Sequence, residues 1–318
     1  MKEIRITENE SGQRLDRFLR KLMKETALSE IYKSIRKGNI KVNGKKSKGN
    51  YMLAIDDVIT FKNINVESIP KENKTINKAD SIDVVYEDQN IIVVDKPAGL
   101  LSHPQSSKDR DTLIDRILYH IQKSEGLDAS PTFIPSLCNR LDRNTAGLVI
   151  AAKNYNSLKA VNEMIRERKL KKLYLCVVKG STKPAGEISG FLEKDEKTRK
   201  ALMGDEGRES VTYYEKIDDN GEYSLLYVEL VTGRFHQIRA HLSSIGHPII
   251  GDVKYGDKKT NEYFRNKFGL NHQLLLAHII SIEETPPELD YLKGKVWHSK
   301  IPDEYKIIID HLFHRQTP

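Results

Sequence analysis

Hydrophobic residues near the start of the chain follow a helical spacing. From Leu15 to Leu22 they repeat at i, i+3, i+4 and i+7, which predicts a helix with one apolar stripe. A second short helix is predicted after it, with Ser29 as its N-cap and Gly38 at the point where a helix C-terminus would end. The chain therefore opens with two amphipathic helices.

The spacing then changes to that of strands. Residues 40–42 alternate apolar and basic side chains, and the following Asn43-Gly44 is the strongest short signal for a hairpin turn. Residues 58–61 are again strand-like. The first sixty residues thus predict a small module of two helices and a hairpin.

A polar stretch separates this module from the rest of the chain. Residues 62–80 contain Pro70 and have neither a helical nor a strand period, which predicts an interdomain linker. Beyond it, strands and helices interleave without a strict βαβ repeat, so we expect an α+β fold. The expected organisation is a domain at 1–61, a linker at 62–80 and a second domain at 81–318. Strands are predicted at 84–86, 91–94, 174–178, 211–217 and 223–230, and helices at 157–167 and 237–245.

Length and composition limit the classes of protein to consider. The 318 residues fit about two domains, and no apolar run approaches the roughly 20 residues of a membrane-spanning helix. The charged N-terminus does not resemble a signal peptide, so we expect a cytoplasmic protein. As a separate expectation, the protein is a monomer. Two cysteines, Cys138 and Cys176, give neither a disulfide framework nor a metal site, and we expect Cys138 to be a small apolar residue rather than a reactive thiol.

The net charge of +7 is concentrated in two places. Between residues 31 and 50 there are seven basic residues and no acidic one. Between residues 153 and 172 there are again seven, against Glu163 and Glu167. Such concentrations favour a polyanionic partner over mere solubility. The first group, which lines the second predicted helix and the hairpin, consists of Lys33, Arg36, Lys37, Lys41, Lys45, Lys46 and Lys48.

This first module resembles a known RNA-binding domain. The order RLDRFL, RKGNIKVNGKKSK and DDVITF, over residues 14–61, resembles the S4 domain, named after a small-subunit ribosomal protein. The resemblance implies a small α/β domain in which Lys33, Arg36, Lys37, Lys41, Lys45 and Lys46 bind substrate RNA.

The second domain contains an unusual charged segment. Residues 139–150 read NRLDRNTAGLVI, with an acid between two arginines and an apolar strand after them. A carboxylate in a cationic loop can serve as a nucleophile or base near a phosphate backbone, although an isolated RLDR would more often be a structural ion pair. Phosphate loops, dinucleotide-binding GxGxxG, GxSxG and HExxH are absent from the sequence, which argues against ATP, dinucleotide, serine-hydrolase and zinc-protease chemistry.

Four ordered segments resemble one enzyme family. NRLDRNTAGLVI is similar to HRLDRDTSGLLL, the catalytic motif of the large-ribosomal-RNA type pseudouridine synthases. The other three segments are VVDKPAGLLSHP (93–104), LKKLYLCVVKG (170–180) and VTGRFHQIRAHLSSIGHPIIGDVKYG (231–256). Residues 281–318 match no motif.

The resemblance implies a mixed, largely antiparallel sheet and a set of roles. Asp142 falls on the catalytic aspartate, Arg239 on its basic partner and Tyr174 on the tyrosine that stacks on the target base. Arg140 falls on the arginine associated with flipping the target nucleotide. The family isomerises uridine to pseudouridine, so neither cofactor nor metal is expected. Ribosomal RNA is the first expected partner and transfer RNA the second.

Some positions depart from the family pattern. Asn139 stands in place of the usual histidine, Asn144 and Ala146 in place of aspartate and serine, and residues 276–278 read LAH instead of LHA. These departures bear on the subfamily and the target site, not on the residues assigned to catalysis.

A noncatalytic RNA-binding or ribosome-assembly protein that keeps the fold is an alternative, but the presence of Asp142, Tyr174 and Arg239 favours the enzyme. An aspartate-dependent hydrolase of a small phosphorylated substrate is a weaker one, because no phosphate loop or metal carboxylates accompany Asp142.

Overall fold

The computed structural model describes residues 2–23, 26–62, 64, 81–106, 109–125 and 133–313. Apart from residues 62 and 64, the linker predicted at 62–80 lies outside the described residues, so the domain boundary stays a prediction. Within the described ranges, no helix is both long and apolar enough to cross a membrane.

The N-terminal module consists of two helices and a three-stranded antiparallel sheet. Its sheet order is β1-β3-β2. The elements are β1 (Lys2–Arg5), α1 (Leu15–Leu22), α2 (Leu28–Lys37), β2 (Ile40–Val42) and β3 (Val58–Phe61). The predicted apolar stripe of α1 is buried throughout in the core of this module, together with Ile31 and Ile35 of α2. Burial of these apolar side chains is the main term that stabilises so small a unit.

One helix boundary differs from the prediction. α2 begins at Leu28 after Ala27, and no side chain caps it, so Ser29 lies inside the first turn and is not the N-cap. Its C-terminus ends as predicted, at Gly38, whose φ of +74° is left-handed and costs little only without a Cβ.

The predicted turn forms at Asn43-Gly44, but the residues directly after it do not make the second strand of a hairpin with β2. Asn43 and Gly44 both have positive φ, as a two-residue hairpin turn of this kind requires. Across the turn only the bridge between Val42 and Lys45 forms, and β2 pairs with β3 instead. The side chain of Asn43 accepts from the backbone of Val58 at 2.8 Å, which ties the turn to the start of β3.

The rest of the chain builds one sheet of eleven strands. The path is β10-β9-β11-β12-β8-β13-β7-β5-β4, with β14 on β13 and β6 on β7. Among the strands that the structure describes, only β13 and β7 run parallel, which confirms the mixed, largely antiparallel sheet. The strands are β4 (Asp83–Glu87), β5 (Ile91–Lys96), β6 (Ser136–Leu137), β7 (Ala146–Ala152), β8 (Leu170–Lys179), β9 (Ala185–Asp195), β10 (Lys200–Gly204), β11 (Arg208–Asp219), β12 (Tyr223–Leu230), β13 (Leu275–Ile282) and β14 (Val296–His298).

Helices cover this sheet. They are α3 (Leu113–Glu125), α4 (Tyr155–Arg166), α5 (Gln237–Ser244), α6 (Lys258–Phe268), α7 (Asp303–Phe313) and a 3₁₀ helix (Pro287–Leu292). The predicted helices correspond to α4 and α5, and the predicted strands lie within β4, β5, β8, β11 and β12. The C-terminal segment without a motif is structural, because Tyr305, Ile308 and Ile309 of α7 are buried in a core cluster with Phe264 of α6.

Candidate active site

The loop that carries Asp142 joins β6 to β7 and is fixed by side chains around it. Ser102 donates to the carbonyl of Leu141 at 2.8 Å and accepts from its amide at 3.1 Å. Asn139 accepts from the amide of Ile150 in β7 at 2.8 Å. The asparagine that departs from the family pattern therefore anchors the start of the loop to the sheet.

Lys96 supports the same loop from inside the protein. It is fully buried, and its ammonium group donates to the carbonyls of Pro97, Leu100 and Arg143, all within 3.0 Å. Burial lowers the pKa of Lys96 to about 7, while the charge of Asp142 acts to raise it. These three contacts around one ammonium group link the 93–104 segment to the loop of Asp142.

Arg239 bridges two carboxylates. It projects from α5, and Asp252 binds its Nε at 2.7 Å and its Nη2 at 2.8 Å. The remaining Nη1 donates to Oδ2 of Asp142 at 3.0 Å. Because a bidentate pair fixes the plane of a guanidinium, Asp252 determines the direction from which Arg239 reaches Asp142.

The charges of this cluster depend on one another. Burial acts to raise the pKa of Asp252, but its bonds to Arg239 outweigh burial and hold that pKa below the ordinary value. Burial likewise acts to lower the pKa of Arg239, and the two carboxylates hold it above the ordinary value. The pair Arg239–Asp252 thus stays ionised although Asp252 is fully buried.

A histidine completes the surroundings of Asp142. His236 immediately precedes α5 and has a left-handed φ of +51°. Its Nδ1 lies 2.9 Å from the hydroxyl of Tyr255, and its Nε2 lies 3.7 Å from Oδ2 of Asp142. Burial lowers the pKa of His236 to about 4, so its ring is neutral at pH 7.

These groups open onto one cavity of about 260 Å³. Asp142, Tyr174, Arg239 and Arg140 all line it, so the structure brings these four predicted residues together. Tyr174 lies in β8 and is 5% exposed, and burial together with the charge of Asp142 raises its pKa. Arg140 is exposed. The volume is slightly below the roughly 300–1,000 Å³ of small-molecule sites, so the cavity has room for one base or nucleotide and not for a larger ligand.

Two further cavity residues were not predicted as site residues. Lys172 of β8 lines the cavity, and burial lowers the pKa of its ammonium group. Cys138 lines it too, and burial raises the pKa of this thiol to about 12. A thiol with such a pKa is not a nucleophile at neutral pH, as expected for a small apolar residue. Among the described residues no group of three or more His, Cys, Asp or Glu side chains is placed to hold a metal ion.

The cationic residues of the N-terminal module lie open to solvent. Lys41 is half-buried and the others are exposed, on α2 and around the turn after β2. In the ranges that the structure describes, none of these residues forms an ion pair. The group, called the basic face below, consists of Lys33, Arg36, Lys37, Lys41, Lys45, Lys46 and Lys48.

Within the described part of the chain, the second cationic run is partly neutralised by ion pairs, unlike the basic face. Lys153 is buried and binds Glu87 at 3.0 Å. Lys169 binds Glu167 at 2.8 Å, and Lys171 binds Glu283 at 2.7 Å. Folding thus brings acidic partners to Lys153 from β4 and to Lys171 from the segment after β13, while Lys159 and Arg168 of the run stay exposed.

Within the family-like segment 231–256, only Arg239 was predicted from the sequence to be a site residue. His236 precedes Arg239 by three residues, a spacing that brings two side chains to one helix face, and this signal was available. Asp252 and Tyr255 follow a turn beyond α5, and no local pattern shows that this turn folds back onto the helix. Lys96 lies in the family-like segment 93–104, but no local pattern shows that its ammonium group reaches the loop of Asp142.

Comparisons with known proteins bear on both parts of the chain. A family model described as RNA pseudouridylate synthase matches residues 90–244, and one described as S4 domain matches residues 13–59. The chain is 33% identical over 290 residues to ribosomal large subunit pseudouridine synthase C of Buchnera aphidicola subsp. Baizongia pistaciae. This alignment covers 87% of this chain and 88% of that protein.

Other relatives agree. The protein of the same name from Vibrio vulnificus is 31% identical over 89% of this chain and 88% of its own length. An uncharacterised RNA pseudouridine synthase of Bacillus subtilis is 28% identical over 98% of this chain and 97% of its own length. Among solved structures, human RNA Pseudouridylate Synthase Domain Containing 4 has the same fold, with a TM-score of 0.57 and 23% identity over 74% of this chain and 94% of that one.

Proposed function

Because this chain belongs to the RNA pseudouridylate synthase family and is therefore an RNA-modifying isomerase, we propose that it acts on large-subunit ribosomal RNA with Asp142 as its catalytic group. The choice of RNA rests on relatives named ribosomal large subunit pseudouridine synthase. Transfer RNA is the second candidate. With ribosomal RNA as substrate, the enzyme works in the cytoplasm.

One observation carries the assignment of Asp142. Its carboxylate borders a nucleotide-sized cavity and is held at 3.0 Å by a guanidinium that is itself fixed by Asp252. A carboxylate that only stabilised the fold would have no need of a cavity beside it. A preorganised charge at the edge of a cavity is the arrangement that a reacting group requires.

The chemistry needs only this one carboxylate. Isomerisation breaks the bond between N1 of uracil and C1′ of the ribose and forms a bond between C5 and C1′. C5 loses its proton to solvent and N1 gains one, so the product is an isomer of the substrate. Atoms and electrons balance without a co-reactant, so no cofactor is required. Asp142 either adds to C1′ or removes the 2′ proton, and both routes require its carboxylate to face the sugar.

The target base must leave the RNA stack to reach the cavity. Extrusion costs a few kcal/mol, which contacts to the flipped nucleotide must offset. The ring of Tyr174 offers a stacking surface in the cavity wall, and Arg140 offers a cation at an exposed position of its lining. We assign these two residues to holding the extruded nucleotide.

The decisive experiment replaces Asp142 by its amide. Asp142→Asn should abolish the release of tritium from C5 of uracil in substrate RNA, because an amide of nearly the same shape is neither nucleophile nor base. RNA affinity should stay within a few-fold, since the basic face is untouched. Asp111→Asn, at a half-exposed carboxylate that pairs with Arg116 outside the cavity, is the matched control and should keep its activity.

Two results would contradict the proposal in different ways. Tritium release by Asp142→Asn at the wild-type rate would remove Asp142 from the mechanism. No release by the wild-type protein from any cellular RNA would favour a noncatalytic binding protein. The substrate is identified by mapping pseudouridine through carbodiimide-dependent reverse-transcription stops in RNA from cells with and without the gene, and a stop lost from transfer RNA would overturn the choice of ribosomal RNA.

A further inference from the structure

His236 has a backbone conformation that a histidine rarely adopts. Its φ of +51° lies in the left-handed region, where a Cβ is unfavourable, yet the residue is buried at the edge of the cavity. Its ring stacks on Phe235 with centroids 3.8 Å apart. Strained residues held this firmly cluster at functional sites, so the contacts of this ring are informative.

The hydrogen bonds around His236 determine which ring nitrogen carries the proton. The amide of Ala201 in β10 donates to the hydroxyl oxygen of Tyr255 at 2.5 Å. The hydroxyl hydrogen of Tyr255 is then free to donate, and Nδ1 of His236, at 2.9 Å, is its only acceptor within the described ranges. With Nδ1 as the acceptor of that hydrogen, a neutral ring carries its own proton on Nε2.

The charges facing the ring favour the same tautomer. Nε2 lies 3.7 Å from Oδ2 of Asp142 and faces it, whereas Arg239, Lys254 and Asp252 also act on the ring from α5 and from the turn after it. With the proton on Nδ1, a lone pair of Nε2 would face the carboxylate and repel it. With the proton on Nε2, an N–H is directed at the carboxylate.

We propose that His236 is a positioning residue whose neutral Nε2–H donates to Oδ2 of Asp142 when RNA is bound. The proposal rests on the function proposed above. The present separation is longer than a hydrogen bond, as catalytic contacts often are without substrate, and it shortens in the complex. Arg239 and His236 then both hold Oδ2, which leaves Oδ1 as the oxygen directed at the sugar. Tyr255 and the backbone of β10 fix the tautomer that makes this possible.

Two conservative variants separate this role from a merely structural one. In His236→Gln the side-chain amide reaches the position of Nε2 and can donate to Asp142, whereas in His236→Asn it reaches only the position of Nδ1. We expect kcat to fall roughly 100-fold in His236→Asn, the order that misplacement of a reacting group costs, and His236→Gln to recover most of this loss with KM little changed.

A structural role predicts the opposite order. Asparagine tolerates left-handed φ better than glutamine and keeps the partner of Tyr255, so His236→Asn would then be the more active and the more stable variant. That order would overturn the proposal. A change in KM with unchanged kcat in both variants would also overturn it, since it would assign Nε2–H to the substrate.

Tyr255→Phe tests the tautomer lock directly. It keeps the aromatic ring near Arg239 and removes only the hydroxyl, so kcat should fall about as far as in His236→Asn. The double variant Tyr255→Phe/His236→Asn should be no worse than His236→Asn alone, because both changes break one chain of contacts. Additive losses would show that the two residues act separately.

A spectroscopic measurement tests the inference without activity. Long-range ¹H–¹⁵N NMR of histidine-labelled protein distinguishes the two neutral tautomers, and the signal absent from His236→Asn identifies His236. We expect the Nε2-protonated form in the wild type and a mixture in Tyr255→Phe. An Nδ1-protonated wild-type ring would refute the inference even if Asp142→Asn had confirmed the proposed function.

Discussion

At the scale of single residues, Arg239 is placed so that its shape matters as much as its charge. Asp252 occupies two of its nitrogens and Asp142 a third, which lysine cannot reproduce with a single ammonium group. The arginine is therefore more than a counter-ion for Asp142. It links the turn after α5, which carries Asp252, to the carboxylate of Asp142.

We expect Arg239→Ala to cost more than Arg239→Lys. Alanine leaves Asp252 buried without a counter-charge. Removing one partner of a buried ion pair lowers the free energy of unfolding by about 3–5 kcal/mol. Lysine keeps the charge but not the planar fork, so activity should fall with a smaller loss of stability. Tritium release and urea denaturation of both variants check this, and near-wild-type rates for both would show that Arg239 has no part in the reaction.

Tyr174 should act through its ring and not through its hydroxyl. If it stacks on the extruded uracil, Tyr174→Phe keeps the interaction, while Tyr174→Ala loses about 1–3 kcal/mol of stacking per base. KM and kcat of the two variants for the same RNA provide the comparison. Equal losses in both would instead implicate the hydroxyl in the reaction.

At the scale of elements, the packing of α5 against β11 includes a fully buried histidine. His241 of α5 lies 2.9 Å from the hydroxyl of Ser210 in β11, while its Nδ1 has no hydrogen-bond partner among the residues that the structure describes. Burial lowers the pKa of His241 to about 4 from an ordinary value of 6.5. Between about pH 4 and pH 6.5, His241 is therefore neutral in the folded protein and protonated in the unfolded chain.

This junction should make the protein sensitive to acid. Because the unfolded state binds more protons, the stability is fully present above about pH 6.5 and falls as the pH decreases toward about 4. We expect His241→Gln, which cannot titrate, to gain about 1–2 kcal/mol relative to the wild type between pH 7 and pH 5. Urea denaturation at both pH values measures this difference.

Ser210→Ala is the matched control for that measurement. It removes the hydroxyl partner but keeps the histidine, so it should lower stability at both pH values and leave the pH dependence close to that of the wild type. If His241→Gln and the wild type lose stability in parallel, His241 does not control the acid sensitivity of this junction.

At the scale of the whole molecule, the two cationic runs of the sequence differ in how much of their charge is paired with acidic residues. The basic face has no ion pairs among the described residues, whereas Lys169 and Lys171 are neutralised by nearby glutamates. Counterion release makes the salt dependence of affinity a measure of how many cations contact phosphate. The two cationic runs of the sequence should therefore behave differently.

We expect the variant Lys37→Gln/Lys45→Gln/Lys46→Gln to bind RNA more weakly. The slope of the logarithm of its affinity against the logarithm of the salt concentration should decrease in magnitude by up to about three, one for each lost cation. The control Lys169→Gln/Lys171→Gln removes a similar charge from paired positions and should leave the slope nearly unchanged. Affinities of both variants between 50 and 200 mM salt, the range over which such contacts are lost, provide the test. An unchanged slope in the first variant would exclude the basic face from RNA contact.

The sequence by itself determined the local elements and the family. The spacing from Leu15 to Leu22 sets which face of α1 is buried, and Asn43-Gly44 sets the turn, since both depend on periods and dihedral angles that neighbouring residues fix. The ordered motifs around Asp142 and Arg239 indicated the family, and the comparisons confirm it. These features could be predicted because each depends on residues close together along the chain.

Only the tertiary structure decided which charges are free and which partners surround Asp142. Lys169 pairs with Glu167, a near neighbour in the sequence. Lys153 and Lys171 are also basic in sequence, but the fold brings Glu87 to the first and Glu283 to the second from distant parts of the chain. The same holds for Lys96, which meets a carbonyl 47 residues away, and for Asp252, which returns to α5. Electrostatic and hydrogen-bond partners depend on distance in space, and the path of the backbone between distant residues is fixed only when the sheet assembles.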